Sequence, residues 1–152
     1  IVIGGLSKSH SMTGWRIGYI LAPEFLSKEF IKVSAYNITC APIVSQHAAI
    51  EALKNGRDDS KAMNESYMKR RDYVYNRLIQ MGFKVEMPMG AFYIFPKIPD
   101  QYKDSEAFAF QLIEEGGVAV VPGQYFSEYC SRNIRITYAY SMESLKSKII
   151  II

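Results

Sequence analysis

The sequence predicts an α/β protein with two lobes, and three observations support this fold class. Two short apolar runs open the chain, and the first, "IVIGGL", is predicted to be a buried strand that leads into a loop. Three segments with helical periodicity follow, and after Gly82 short strand-like runs flank an amphipathic helix. The order ββααα then ββαββα predicts the end of an α/β sheet domain, a long connecting helix and a smaller α+β lobe.

The first lobe is assigned to residues 1–57. Its second strand, residues 14–23, ends at Pro23, which also suits the first turn of the helix that follows. A further helix covers residues 44–56, where Gly56 provides a C-terminal stop.

The second lobe is assigned to residues 58–152. A long helix begins after Asp58 or Asp59, and the runs "FKVEMP" and "AFYIFPKI" are predicted strands. The helix "SEAFAFQLIEEGG" has Ser105 as its predicted N-cap and two glycines as its stop. Two further strands, "VAVVPG" and "NIRITYAYS", and a last helical segment complete the lobe.

Composition and charge argue against several classes of protein. Of the 152 residues 49% are hydrophobic and 22% charged, which is typical of a soluble globular protein rather than a disordered one. The net charge is +3 and no stripe of Lys or Arg with interleaved aromatic residues occurs, so a nucleic-acid partner is not expected. No run has the length of a transmembrane helix and no signal peptide is visible, so a membrane partner is not expected.

The two cysteines and the chain ends lead to three further expectations. Cys40 and Cys130 form neither a metal-ligand pair nor a disulfide framework, so no metal site is expected. Free cysteines are typical of a reducing compartment, which predicts a cytoplasmic location. The chain opens at Ile1 without a methionine and ends in "SKIIII", so we expect a piece of a longer protein.

Lys8 is the first candidate for chemistry. It follows the first predicted strand and stands between Ser7 and Ser9, at the kind of strand end where α/β sheets place ligands. A lysine amine that reacts with a carbonyl group must be partly neutral, and a nearby positive charge such as Arg16 favours that state. The alternative, which spacing alone favours, is a surface lysine on a loop.

Arg16 is predicted to lie within the second strand, in "GWRIGY". Paired strands lie about 4.8 Å apart, so Lys8 and Arg16 at neighbouring strand ends can converge on one small ligand. The planar guanidinium suits a phosphate group. The alternative is an arginine whose charge reaches solvent or pairs with a carboxylate.

Arg135 stands in the alternating run "NIRITYAY". By alternation Ile134, Ile136 and Tyr138 face one side of the strand, and Arg135 faces the other. An arginine on a rigid strand suits the binding of a carboxylate, and a structural salt bridge is the alternative.

Five segments of the chain resemble one family, in that family's order. "SK" followed by "MTGWRIGY" resembles the cofactor-lysine segment of the fold-type I, pyridoxal-phosphate-dependent aminotransferases of class I/II. "APIVSQHAAIEAL", "PMGAFYIFP", "GGVAVVPGQYFSE" and "NIRITYA" resemble later segments of the same family. The resemblance implies the C-terminal part of that transferase fold, with the end of the large-domain sheet in residues 1–57 and the connecting helix and small domain in residues 58–152.

The resemblance also implies a role for each candidate residue. Lys8 would bond covalently to pyridoxal 5′-phosphate and move the proton between the substrate α-carbon and the cofactor. Arg16 would hold the cofactor phosphate, Ser7 would add a hydrogen bond to it, and Arg135 would hold the substrate α-carboxylate. The implied reaction transfers an amino group from an amino acid to a 2-oxo acid in a homodimer, within the branch that handles aspartate, aromatic amino acids or N-acetyl-diaminopimelate.

Two alternatives and two departures accompany this assignment. A carbon–sulfur lyase of the same fold type can use the same lysine and arginines, and a truncated remnant without catalysis is the non-enzymatic alternative. Many family members carry a hydroxyl residue three positions before the lysine, where this chain has Gly5. The family's aspartate for the pyridine nitrogen lies upstream, so the chain alone is expected to be inactive.

His10 and His47 are interpreted as ordinary polar or packing residues.

Overall fold

The computed structural model describes residues 1–148, and the predicted apolar tail at residues 149–152 lies outside them. The chain divides into two compact units, Ile1–Met63 and a second unit that begins at Asn64. This division falls inside the helix Ser60–Gln80. The sequence places the boundary at residues 57 and 58, and its assignment of two domains stays a prediction.

The first unit opens with an antiparallel pair of strands joined by a 12-residue connection. Val2 pairs with Leu21 and Gly5 with Gly18, so residues 6–17 emerge at one end of the pair. The elements of this unit are β1 (Val2–Gly5), α1 (Leu6–Ser9), a 3₁₀ turn (Thr13–Trp15), β2 (Gly18–Leu21), α2 (Glu24–Ile38) and α3 (Ile43–Asn55).

Pro23 and Gly56 correctly predict one helix start and one helix end. Helix α2 begins directly after Pro23, and α3 begins directly after Pro42. The missing N–H of proline costs nothing at a helix start, where that donor has no intrahelical partner. Helix α3 ends at Gly56, whose backbone N–H donates to the carbonyl oxygen of Ala52.

The prediction that the first strand is buried is wrong. β1 pairs only with β2, and neither strand contains a buried residue. An apolar run predicts burial only where a second layer covers it. Helix α2 likewise contains no buried residue. The large apolar side chains exposed on these three elements are those of Val2, Ile3, Tyr19, Ile20, Leu21, Phe25, Ile31, Val33, Tyr36 and Ile38.

The second unit contains a three-stranded antiparallel sheet in which the central strand comes last along the chain. The strand order is β3-β5-β4. The elements are α4 (Ser60–Gln80, which begins in the first unit), β3 (Tyr93–Ile94), α5 (Ser105–Gly116), β4 (Val121–Pro122), β5 (Ile134–Thr137) and α6 (Met142–Lys148).

The core of the second unit lies on one face of β5. Ile134, Ile136 and Tyr138 are buried there, which confirms the alternation predicted from the sequence. Helix α4 contributes Val74 and Leu78, both fully buried. The other buried members of this cluster are Phe83, Ile94, Ile98, Phe108, Leu112 and Leu145.

Two local predictions in this unit are wrong. The run "FKVEMP" forms only an isolated bridge between Lys84 and Lys97, because its partner segment pairs instead with β5 through Tyr93 and Ile94. Helix α5 is capped by Asp104 rather than by Ser105. The Asp104 carboxylate accepts the N–H of Ala107 at 2.9 Å, which satisfies a donor that a helix start leaves free.

Residues 1–148 contain neither a membrane span nor a cluster of metal-ligating side chains. None of their helices combines the length and the hydropathy that crossing a bilayer requires. No three His, Cys, Asp or Glu side chains among them lie close enough together to hold a metal ion.

Candidate active site

Three of the four predicted site residues lie on the connection between β1 and β2. Ser7 and Lys8 belong to the single helical turn α1, and Arg16 lies just before β2. Lys8 and Arg16 are exposed, whereas Ser7 is half-buried. The connection therefore presents an amine and a guanidinium from one short segment of chain.

A small apolar cluster fixes this connection to α3. Leu6 is 2% exposed and Met12 is 8% exposed, and both pack with Ala49 of α3. Leu6 comes two residues before Lys8, and Met12 comes four residues before Arg16. The two cations thus extend from a backbone that is anchored on both sides of the turn.

A buried hydroxyl ties the turn before Arg16 to the same helix. Ser45 of α3 is 6% exposed, and its Oγ donates to the carbonyl oxygen of Trp15 at 2.7 Å. A serine side chain in a helix more often bonds its own backbone. Here the bond crosses 30 positions and fixes the residue next to Arg16.

His10 supplies a second tie, near Lys8. Its Nε2 lies 3.2 Å from the carbonyl oxygen of Gly56 at the end of α3, and its Nδ1 lies 2.8 Å from the Ser9 hydroxyl. Because a carbonyl oxygen only accepts, Nε2 carries the proton and donates to Gly56. The imidazole therefore links the turn that contains Lys8 to the end of α3.

The prediction that Arg16 lies within a strand is wrong. Arg16 caps the 3₁₀ turn Thr13–Trp15 in a left-handed conformation with φ of 50°, and β2 begins only at Gly18. Its Nη1 donates to the carbonyl oxygen of Thr13 at 3.2 Å. Among residues 1–148 no carboxylate forms an ion pair with this guanidinium. A cation held in this way can bind an external anion through its remaining donors.

Arg135 belongs to the second unit, on the face of β5 opposite the core. Its guanidinium carbon lies 4.4 Å from the ring centre of Tyr93 and 4.8 Å from that of Phe126. Within the described residues it has neither a hydrogen bond nor an ion pair. The structural salt bridge considered as the alternative is therefore absent from residues 1–148.

Sequence reasoning missed the side chains that support these cations. It interpreted His10 as an ordinary polar residue and gave no role to Ser45 or Phe126. His10, Ser45 and Tyr93 contact partners 30 or more positions away, and such contacts leave no local pattern in a sequence. Phe126 lies only nine positions from Arg135, but its contact depends on the path of the chain between them.

Comparison with known proteins identifies the family. The family model described as aminotransferase class I and II matches residues 1–149. The chain belongs to this family, which confirms the resemblance drawn from the five segments.

Relatives and solved structures agree with this assignment. The chain is 53% identical over 146 residues to the probable N-acetyl-LL-diaminopimelate aminotransferase of Bacillus subtilis, covering 96% of this chain and 37% of that protein. It is 39% identical to an aspartate aminotransferase of Pyrococcus abyssi, covering 96% of this chain and 38% of that protein. A crystal structure of an aromatic aminotransferase from Pyrococcus horikoshii superposes with a TM-score of 0.93 at 38% identity, covering 98% of this chain and 40% of that one.

The structural match confirms the predicted fold class, and the covered shares show how much of such a protein this chain comprises. The mixed α/β architecture is that of part of a fold-type I aminotransferase. The chain spans about two fifths of the length of the relatives that it matches.

Proposed function

We propose that this chain supplies the cofactor lysine and the substrate-binding arginine of a pyridoxal-phosphate-dependent aminotransferase. The observation that carries the proposal is the anchored connection between β1 and β2. It presents Lys8 together with Arg16, a cation that has no ion-pair partner in residues 1–148. The proposal assigns residues 1–57 to the cofactor-binding domain and residues 58–152 to the connecting helix and small domain.

The residues of the connection fit pyridoxal 5′-phosphate chemically. The molecule has an aldehyde and a phosphate, and Lys8 and Arg16 offer a nucleophilic amine and a bidentate anion donor. The Ser7 hydroxyl has no hydrogen bond within the described residues, so it can donate to the same phosphate. Gly5 is the N-cap of α1 and has no hydroxyl, so in this proposal backbone N–H groups take the place of the hydroxyl contact that is common in the family.

Each residue has a separate task in the proposed reaction. When bound, the cofactor supplies an electron sink for the charge left as a proton leaves the substrate α-carbon. Lys8 would bond to the cofactor aldehyde with loss of water, and once the substrate amino group has displaced it, the freed amine of Lys8 would accept the proton from the substrate α-carbon. Arg16 neutralises the phosphate, and Arg135 binds the substrate α-carboxylate through paired N–H donors.

The proposed substrates are an amino acid and a 2-oxo acid. The names of the relatives support the branch that uses aspartate, aromatic amino acids or N-acetyl-diaminopimelate. A homodimer in the cytoplasm is the proposed setting of the whole protein. The homodimer follows from the family, and the cytoplasmic location follows from the free cysteines Cys40 and Cys130.

Reductive trapping tests the role of Lys8 directly. The 152-residue chain is mixed with pyridoxal 5′-phosphate, reduced with borohydride, digested and mapped by mass spectrometry. We expect modification concentrated on Lys8 and reduced in Arg16→Gln, which removes the charge and keeps a polar side chain. Labelling spread evenly over Lys28, Lys54 and Lys8 would contradict a preformed half-site.

A full-length chimera tests the reaction. In this chimera, the 152-residue chain replaces the matching 37% of the probable N-acetyl-LL-diaminopimelate aminotransferase relative from Bacillus subtilis. We expect transfer of an amino group to a 2-oxo acid, lost in Lys8→Ala. Release of a thiol from a sulfur-containing amino acid without amino transfer would favour the carbon–sulfur lyase. A cofactor-loaded chimera that does neither would favour the non-catalytic remnant.

A further inference from the structure

The guanidinium of Arg135 lies over two aromatic rings from different segments. The Tyr93 ring centre is 4.4 Å from its central carbon, and the Phe126 ring centre is 4.8 Å away. Both distances lie within the range in which the negative face of a ring attracts a cation. These contacts hold the charge without occupying its N–H donors in hydrogen bonds to oxygen.

Arg132, three positions earlier, shows the contrasting arrangement. Its Nη2 donates to the carbonyl oxygen of Pro99 at 2.9 Å, and its Nη1 donates to the carbonyl oxygens of Tyr102 and Lys103. Its donors are thus used to fix a neighbouring loop. Arg135 differs because the N–H donors of its guanidinium have no oxygen partner in residues 1–148.

The two rings are themselves held in place. Tyr93 pairs with Thr137 across β3 and β5, and its ring packs on that of Phe92 at 4.5 Å. The Phe126 ring meets the ring of Phe95 edge-on at 6.3 Å. The pairing of β3 with β5 therefore places Tyr93, and the contact with Phe95 supports the Phe126 ring.

A hydrogen-bond network holds the turn that precedes Phe126. Glu106 of α5 accepts from Tyr125 Oη at 2.5 Å and from Gln124 Nε2 at 3.1 Å. The hydrogen bond to Glu106 raises the pKa of Tyr125, so the hydroxyl stays protonated and donates. Phe126 follows directly and is the C-terminal end of this 3₁₀ turn, Gly123–Tyr125.

We propose that Tyr93 and Phe126 are positioning residues that hold the Arg135 guanidinium ready for the substrate α-carboxylate. A free arginine side chain samples many rotamers, and binding a planar carboxylate selects only a few of them. Two ring contacts reduce this ordering cost before the substrate arrives. The inference rests on the carboxylate role that the proposed function gives to Arg135.

The first test measures the position of the guanidinium in the 152-residue chain. Protons above an aromatic ring face are shifted upfield in NMR spectra. We expect the Arg135 Hε resonance to move downfield in Tyr93→Leu and in Phe126→Leu, and to keep its position in Tyr93→Phe. Tyr129→Leu is the matched control, because that ring is 89% exposed. If neither Tyr93→Leu nor Phe126→Leu moves the Arg135 Hε resonance, the inference is overturned.

The second test measures, in the cofactor-loaded chimera, how the position of the Arg135 guanidinium affects the preference for a substrate with an α-carboxylate. The rate of the amino-transfer half-reaction is compared for an α-amino acid and for the matching amine that lacks the carboxylate. We expect each leucine variant to lower the preference for the amino acid about threefold to fivefold, as loss of one exposed cation–π contact implies. The rate with the amine should stay constant in each leucine variant. Tyr93→Phe should keep the wild-type preference for the amino acid, because it keeps the aromatic ring.

The outcomes separate the two proposals. A wild-type chimera that does not prefer the amino acid overturns the carboxylate role of Arg135 and the inference built on it. A wild-type preference that survives both leucine substitutions overturns the inference alone. A general loss of folding lowers the amine rate as well, so it is distinct from the expected change in preference.

Discussion

The hydroxyl of Ser45 donates to the carbonyl oxygen of Trp15 at 2.7 Å, and this bond joins α3 to the turn that presents Arg16. Ser45 is buried, so removal of its hydroxyl leaves a carbonyl oxygen with one fewer partner. We expect Ser45→Ala to destabilise the chain by about 1 kcal/mol and to lower the trapping of cofactor at Lys8. Urea unfolding and the borohydride assay measure the two effects.

Ser27→Ala is the matched control for this substitution. Ser27 also donates to a backbone carbonyl, that of Ala22, at 3.1 Å in the same unit. Ser27→Ala should reduce the stability of the chain without reducing the trapping of cofactor at Lys8. An equal loss of trapping in both variants would show that Ser45 acts only through general stability.

The His10 imidazole is expected to fix the lysine turn rather than to exchange protons with substrate. It bridges the Ser9 hydroxyl and the Gly56 carbonyl, which lies 46 positions further along the chain. His10→Ala should lower the trapping at Lys8, and His10→Gln should restore part of it, because a glutamine amide can still donate to Gly56. A chimera with His10→Gln that binds cofactor normally but transfers no amino group would contradict a purely positional role.

Arg135→Ala tests the carboxylate contact in the chimera. A charge-assisted hydrogen bond contributes about 1.5 to 3 kcal/mol, so kcat/KM for an amino acid should fall by roughly tenfold to a hundredfold. The reaction of the amine without a carboxylate should change little. The comparison variant is Arg132→Ala, whose arginine donates to backbone carbonyls and should affect stability instead of substrate preference. If the amino acid and the amine are slowed equally, the assigned contact is wrong.

The sequence predicts those features that depend on local patterns. The side-chain alternation of β5 follows from its period of two, so the buried Ile134 and Tyr138 and the outward Arg135 are predictable. Helix α2 begins directly after Pro23, and α3 stops with Gly56 as its C-cap, as expected. The lysine and the two arginines are proposed as site residues because their motifs occur in the family's order.

The support of the site depends on long-range geometry, which the sequence does not display. Nothing local shows that Arg16 adopts a left-handed backbone, since this conformation is rare outside glycine, asparagine and aspartate. The contact of Phe126 with Arg135 depends on the pairing of β4 with β5, which sets Val121 opposite Arg135, and on the turn that follows β4. The burial expected of β1 depends on a covering layer that an apolar run cannot reveal.

Gly123 is predicted to tolerate no side chain. A Cβ at this position would meet the carbonyl oxygens of Cys130 and Asn133, the latter at 2.5 Å, and both are backbone atoms that cannot move separately. We expect Gly123→Ala to lower the free energy of unfolding by about 1 to 3 kcal/mol, as overpacking does. Gly90→Ala is the control in the same unit, because nothing lies within 4 Å of its Cβ position. Equal urea midpoints for the two variants would contradict this close approach.

Tyr138 is expected to make stability depend on alkaline pH. Its ring is 1% exposed and its hydroxyl donates to the carbonyl oxygen of Ala91 at 3.1 Å. Burial raises the pKa of Tyr138 above its ordinary value of 10.0, and the neighbouring Asp72 adds to this while Arg71 opposes it. An unfolded tyrosine titrates near its ordinary value, so the unfolded chain releases this proton at a lower pH than the folded chain does.

The sign of the effect follows from this order of titration. Below about pH 10 both states keep the proton, and the contribution of Tyr138 is fully present. As the pH rises from there through the folded pKa, only the unfolded state gains from deprotonation, so stability falls. Tyr138→Phe should cost about 1 kcal/mol at pH 8 through the lost hydrogen bond, and this difference should shrink at pH 11. Urea unfolding of both proteins at the two pH values measures it, and a difference that stays constant would contradict the raised pKa.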